Sequence, residues 1–281
     1  MPLFHVNPPA NANMLFTKIM EIAAFDIYEI NEPLDKLLNL EPTPPFNERF
    51  DIVGFESIYL LNNLGSLNFA YIAWILAALL TLILQKFAQD YKIVRKVFNK
   101  LRKLLFFNTI ISIYLESYSL LAVCCLINMN HISFANYGLV IHSVVTLLVL
   151  FAIFLLPPFT SRHLTKFFDD LKEKKMRMVY GESYTELDLK KGKIVLIQPL
   201  FFLTRRLMIA FAIVVVNKIL IWQIMLMASQ IVISVVIIGH IRPYKYRHKR
   251  SIEIFNEVIL MSVMYTIICF SPLVPDAEVK F

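Results

Sequence analysis

The chain has 281 residues, of which 58% are hydrophobic and only 17% charged, with 23 Phe, 6 Gly and a mean hydropathy of +0.62. A soluble domain carries about a quarter charged residues, and a globular core of this size would need a larger polar shell, so the composition excludes the soluble class and predicts a polytopic membrane protein. Three cysteines, two of them adjacent (Cys124, Cys125), exclude a disulfide framework and a CxxC zinc site, and the net charge of +7 is spread over separate loops, not gathered with aromatics on one nucleic-acid-binding face.

Residues 1–63 hold nine acidic and three basic residues and show no basic, apolar and cleavable leader pattern. They read as an acidic extracytosolic segment, a Pro-rich turn leading into an apolar approach to the first span. An acidic outer arm of this kind is expected of a piece of a longer chain. A bilayer core of about 30 Å takes roughly 20 helical residues, and six stretches qualify: 64–84, 104–127, 138–159, 194–217, 219–241 and 254–274. Together they form a predicted transmembrane domain over 64–275, with a short extracytosolic tail at 276–281.

The connections fix the predicted orientation, because cytosolic loops retain Lys and Arg. The first, Gln85 to Lys103, holds seven basic residues; the third, between spans three and four, holds nine; the fifth, "RPYKYRHKR", holds five. The second, "NMNHISFANY", has no charge. Both termini are therefore expected to be extracytosolic in a plasma or internal membrane, with anionic lipid headgroups as partners of the basic loops. After the third span, "PPFTSRHLTKFFDDLKEKKMRMVYG" places Leu164, Phe167, Phe168, Leu171, Met178 and Val179 at helical spacing. That spacing predicts an amphipathic helix on the cytosolic interface, capped by Thr160 or Ser161 and ended at Gly181.

Leu207 to Ile241 would be about 52 Å long as one helix, too long for a single crossing. A turn near Asn217–Lys218 makes it a hairpin and keeps "RPYKYRHKR" on the basic side. The fourth span then begins before Arg205, with Pro199 in its first turn or at a kink, and Arg205 and Arg206 fall toward the cytosolic headgroups. Glu253 and Glu257, one turn apart at the start of the sixth span, are their expected partners in an inner-leaflet latch, favoured also by a helix N-terminus.

Within the second span, Thr109, Ser112, Glu116 and Ser119 recur every three or four residues as one polar stripe, with Glu116 expected near the bilayer centre. Two readings stand: a proton- or cation-binding carboxylate, or a protonated or Arg-paired glutamate that locks helix packing. Gln223, Gln230 and Ser234 form a second stripe, with Met227 between them, whose common use is interhelical hydrogen bonding. His131 and His142 have no carboxylate or Cys neighbours and make no metal site. No phosphate loop, HExxH, GxSxG or His-box cluster is present. The expectation is a protein that is not an enzyme and takes no cofactor or metal.

"YGESYTELDLKKGKIVLIQPLFFLTRRLMIAFAIVVV" and "IRPYKYRHKRSIEIFNEVILM" carry a cytosolic "YG..Y", an arginine pair opening a helix, a basic "RP[YF]" loop and an "E..NE" entry to the last span. This order resembles the C-terminal transmembrane region of transient-receptor-potential-like proteins, in particular large protist membrane proteins with cysteine-rich ectodomains. "FNERFDIVGFESIYLLNNLGSL" resembles the stretch before their late helices, so the resemblance covers about residues 46–265. It implies a multi-helix membrane domain, sometimes attached to a large ectodomain, with cation-channel activity proposed for some members. The chain departs from a channel in having no re-entrant segment of convergent carbonyls or charged rings before the last span. The expected fold is thus an all-α six-helix transmembrane bundle with an interfacial amphipathic helix. Its expected role is part of a cation channel or the membrane anchor of a surface sensor, alone, as a homo-oligomer or in a larger membrane assembly. The alternatives are a secondary or proton-coupled transporter using Glu116 and a structural subunit of an organellar membrane complex.

Overall fold

A computed structural model describes residues 31–87 and 104–269, together with Met14, Lys18, Phe98, Leu101, Arg102 and Ser271. Most of the acidic segment before residue 31, most of the first basic connection and the expected tail at 276–281 lie outside the described residues. The described residues form ten α-helices: α1 (Asn31–Leu38), α2 (Glu48–Ile52), α3 (Leu60–Asn63), α4 (Ser66–Phe87), α5 (Ile110–Met129), α6 (Tyr137–Lys166), α7 (Lys174–Tyr184), α8 (Ile197–Val214), α9 (Leu220–Val236) and α10 (Arg247–Cys269). Among the described residues there is no strand, only an isolated antiparallel bridge between Leu187 and Tyr244.

Among the described residues, six helical stretches are long and apolar enough to cross a membrane: Leu67–Lys86, Ile110–Met129, Tyr137–Lys166, Lys193–Val214, Leu220–Ile241 and Arg247–Cys269. All but α5 bury little of themselves within the protein; α4 leaves Ile72, Ile75, Leu76, Leu79, Leu80 and Ile83 exposed. Apolar surface on this scale is compatible with lipid and not with water. The all-α, polytopic architecture expected from composition is the one observed.

The tightest packing joins α5 to α8, with α6 against both. Ala122, Cys124, Cys125 and Ala210 are all fully buried there. Small side chains let helix backbones approach where hydrocarbon removes the hydrophobic drive to associate. The two adjacent cysteines are core residues, and Cys125 Sγ donates to the Thr146 carbonyl at 3.2 Å. A separate apolar seam, Leu220, Ile224, Ile231, Met264 and Ile267, holds α9 to α10. The protein is thus a tight three-helix core with α4 on one side and a helix pair on the other.

The turn between α8 and α9 occupies residues 215–219, so the long apolar run is a hairpin as its length requires. Its far end joins the basic loops: Asp188 N–H donates to the Pro243 carbonyl at 2.8 Å, Lys245 N–H to the Glu186 carbonyl at 2.9 Å, and Lys191 Nζ to the Arg242 carbonyl at 2.6 Å. Arg242 makes this corner with a left-handed backbone, φ +52°. The connections 167–196 and 242–246 therefore share one end of the bundle. Residues 31–64 cap the opposite end, where Asn136 Nδ2 donates to the Asn39 carbonyl at 3.0 Å and Leu38, Leu40 and Tyr59 pack under α6. The approach to the first span is thus a folded cap.

Two expectations are corrected. The amphipathic helix does not start at Thr160 or Ser161. α6 runs on through Pro157 and Pro158 to Lys166, followed by a 3-10 turn (Asp169–Lys172) and α7, within which Gly181 lies. Leu164, Phe168 and Leu171 do not lie on an open interface; they are buried with Tyr184, Leu187, Val195 and Leu196 in a small core of their own. The sixth helix begins at Arg247, not at 254, and has no acidic residue in its first turn. Glu253 and Glu257 therefore stand well inside α10, where the helix N-terminus no longer favours them.

A proline inside a helix frees the carbonyl four residues earlier. For Pro157 that carbonyl belongs to Ile153, and it accepts a bond from the Tyr118 hydroxyl at 3.0 Å; both residues are buried. Tyr114, one turn earlier on α5, donates to the Ala152 carbonyl at 3.1 Å. α5 thus supplies the donor that answers the gap left by Pro157. Tyr118→Phe removes one partner and leaves a buried acceptor, at a cost of about 1–3 kcal/mol. We expect a lowered thermal midpoint for the chain in detergent, with the Tyr114→Phe change smaller because the Ala152 carbonyl lies outside the gap left by Pro157. At the opposite end, a Cβ at Gly138 would stand 2.0 Å from the Leu38 carbonyl oxygen. Gly138→Ala should therefore detach the cap, read as faster proteolysis within residues 31–64 while the transmembrane core stays resistant.

Candidate functional site

Consecutive residues on a helix point about 100° apart, so adjacent arginines cannot serve the same neighbour. On α8 they part. Arg205 turns to α9 and α10, where its guanidinium pairs with the Glu257 carboxylate. Ser234 on α9 donates to the same Glu257 oxygen at 2.8 Å, and Arg205 also reaches the Ser234 hydroxyl at 3.4 Å. Glu257 is 2% exposed. Three helices are thereby tied at one buried carboxylate.

Arg206 turns the other way, donating to the Leu115 carbonyl of α5 and lying 4.2 Å from the centre of the Phe202 ring. It also feels the charge of Glu116. The expected latch is therefore half observed: Arg205 takes Glu257, whereas Arg206 serves α5. Glu253 sits beside a cavity of about 370 Å³ whose walls include Ser112, Glu116, Arg206, Tyr244 and Lys249.

That cavity changes the setting of Glu116. Its walls also come from the basic-end connections, through Glu182, Glu186 and Tyr244. Glu116 thus faces a polar chamber at the basic end, and is exposed into it, instead of standing isolated among apolar helices in the middle of the bundle. The reason is the shortness of the approach: a π-helical turn, Leu104–Thr109, precedes α5, and Asn108 already donates to Glu182 at 2.9 Å. Of the expected stripe, Ser112 and Glu116 line the chamber, and Ser112 Oγ donates to Glu116 at 3.4 Å. Thr109 and Ser119 are half-buried and outside its lining.

Sequence reading missed the residues that complete the chamber. Gln198 donates to the Tyr244 hydroxyl at 3.0 Å, joining the start of α8 to the loop before α10. Burial, then the Glu253 carboxylate, pushes the Tyr244 phenol up to about 12, so it stays neutral. Lys249, in the first turn of α10, pairs with Glu186 of the connection 167–196. These partners are distant in sequence and share no spacing; the "YG..Y" and "RP[YF]" motifs were the nearest signal.

The second stripe makes the expected interhelical hydrogen bonds at Gln223 and Ser234, whereas neither amide atom of buried Gln230 has a hydrogen-bond partner. Gln223, Gln230 and Ser234 are all buried between helices, and Gln223 Nε2 donates to the Ala212 carbonyl at 3.0 Å. His142 is buried against the Tyr59 ring, 5.0 Å between centres. Among the described residues no three His, Cys, Asp or Glu side chains converge as a metal site.

The architecture and its buried polar contacts define the chain as an all-α, multi-pass integral membrane protein. No protein family, curated protein or solved structure matches it.

Breaking one partner of a buried ion pair costs about 3–5 kcal/mol, whereas replacing both with apolar residues is often neutral. Glu257→Leu or Arg205→Met alone should sharply lower stability in detergent, and the double variant should recover most of the loss. A double-mutant cycle on thermal or denaturant midpoints measures this coupling. Additive single effects would mean that Arg205 and Glu257 act independently.

Proposed function

We propose that the chain is the membrane domain of a transient-receptor-potential-like protein and serves as the membrane anchor of a surface sensor. The observation that carries this reading is the form of the helix pair α9–α10. It is entered by a turn at 215–219 and joined by residues 242–246, which are held to the 186–191 segment by backbone bonds. That leaves no segment between the two helices to fold back as a filter of convergent carbonyls. The basic loops on one end and the cap on the other support a topology with the loops in the cytosol, against anionic headgroups, and the cap outside.

The buried stretch of α5 from Leu121 through Asn128 speaks against a carrier built on Glu116. A transport path needs polar walls on both sides of its site, and beyond Glu116 this helix enters an apolar core. The second reading is a subunit of a cation-permeable assembly of several copies. It draws support from the helix pair having an apolar seam of its own, bonded to α8 through Arg205 and Gln223.

Purified chain reconstituted into liposomes decides between them. The anchor reading expects no calcium, potassium or proton flux above empty vesicles, at any protein density. A flux that rises with copy number and falls in Glu257→Gln would replace it by the channel reading. A proton flux abolished by Glu116→Gln alone would restore the carrier.

A further inference from the structure

Two cavities abut at the basic end. The chamber lined by Glu116 has a neighbour of about 410 Å³ whose walls, among them Tyr71, Tyr114, Leu156, Phe159 and Leu203, are almost wholly apolar. Leu115, Ser183 and Pro199 are walls of both. Each volume lies in the range that holds a small organic group. One chamber suits a charged head and the other a hydrocarbon tail.

The charges choose the head. Four carboxylates, Glu116, Glu182, Glu186 and Glu253, face two cations, Arg206 and Lys249. Lys249 is occupied by Glu186, Glu182 accepts from Asn108, and Arg206 is held by the Leu115 carbonyl. Glu116 and Glu253 remain as the carboxylates facing the chamber without so strong a partner. A separate observation points the same way: Gln198, 8% exposed, lines the chamber with its Oε1 buried and without a hydrogen-bond partner. A buried acceptor of this kind calls for a donor. An ammonium group offers three donors and one positive charge, whereas an anion would meet the excess of carboxylates.

We infer that the paired cavities bind a single-chain lipid amine, with its ammonium among Glu116, Glu253 and Gln198 and its tail between Tyr114 and Leu203. One apolar chamber admits one chain. Leu156 and Phe159 are themselves exposed on the apolar outer side of α6, so the tail has a route from the bilayer. The inference does not depend on whether the chain anchors or conducts, since binding is read without flux.

The test uses the full chain in nanodiscs and hexadecylamine carrying a diazirine in its tail, with labelled peptides mapped by mass spectrometry. The hexadecanoate of the same design is the charge control, and butylamine is the competitor that lacks a tail. Labelling by the amine is expected in the peptides holding Tyr114, Leu156 and Leu203, well above that by the carboxylate. It should survive excess butylamine. Glu116→Gln and Glu253→Gln should each lower it by about tenfold, the size of one lost charge-assisted hydrogen bond, and Glu173→Gln, outside the cavity, should not. Equal labelling by amine and carboxylate overturns the inference, and that comparison needs no variant. So does labelling spread over the lipid-facing sides of α4 and α10. Displacement by butylamine would reassign the polar chamber to soluble amines without a tail.

Discussion

Hydrocarbon supplies no partner for a polar group, so every donor and acceptor in a bilayer-spanning helix must be answered from within the protein. Much of this structure can be derived from that requirement. Pro157 frees a carbonyl in α6, and the Tyr118 hydroxyl of α5 answers it. Arg205 needs a carboxylate, and α10 brings Glu257 to it with Ser234 of α9 as a second donor. Asn128 donates to Thr146 at 2.8 Å, and Thr146 to the His142 carbonyl, joining α5 and α6 near their other end. All but the last of these answers come from a different helix. The polar residues therefore decide which helices are neighbours, while small residues such as Ala122 and Ala210 decide how near they come.

The same requirement separates what could be read from the sequence from what could not. Span number, the hairpin after Arg206 and the alternation of basic loops follow from length and charge, and these quantities are local. The helix starts were less legible. "RPYKYRHKR" reads as a loop because its charges want water, yet from Arg247 they ride on the first turns of α10, where Lys249 reaches Glu186 and Glu253 faces the chamber. The continuation of α6 beyond its double proline was hidden for the same reason of locality: the tyrosine that answers the Ile153 carbonyl stands 35 residues away.

Of the candidate site, the stripe on α5 was visible and its depth was not. Periodicity gives the direction of a side chain around a helix axis, but its height depends on where the helix starts. The π-helical turn before Ile110 and the loops folded over it bring Glu116 level with Glu182 and Tyr244. For the arginines, adjacency alone carried more information than was first drawn from it. Two neighbouring residues about 100° apart cannot both face α10, so one of them was bound to serve another helix.

That division gives the two arginines different consequences. A buried ion pair is seldom the most stable solution, since apolar residues of the same volume do as well or better; what Arg205 and Glu257 add is a fixed register between α8 and α10. Arg206, by contrast, bonds a carbonyl of α5 and stands at the wall of the chamber that holds Glu116. A change in charge within the chamber acts on Arg206, Arg206 shares its backbone turn with Arg205, and Arg205 holds the outer pair. α10 itself walls the chamber through Lys249 and Glu253, and one turn of α8 adds a second path, from Arg206 to Arg205. The core on one side and the helix pair on the other are each packed within themselves. A ligand in the mixed-sign chamber would therefore act on the helix pair at two points, directly at Glu253 of α10 and through this turn of α8.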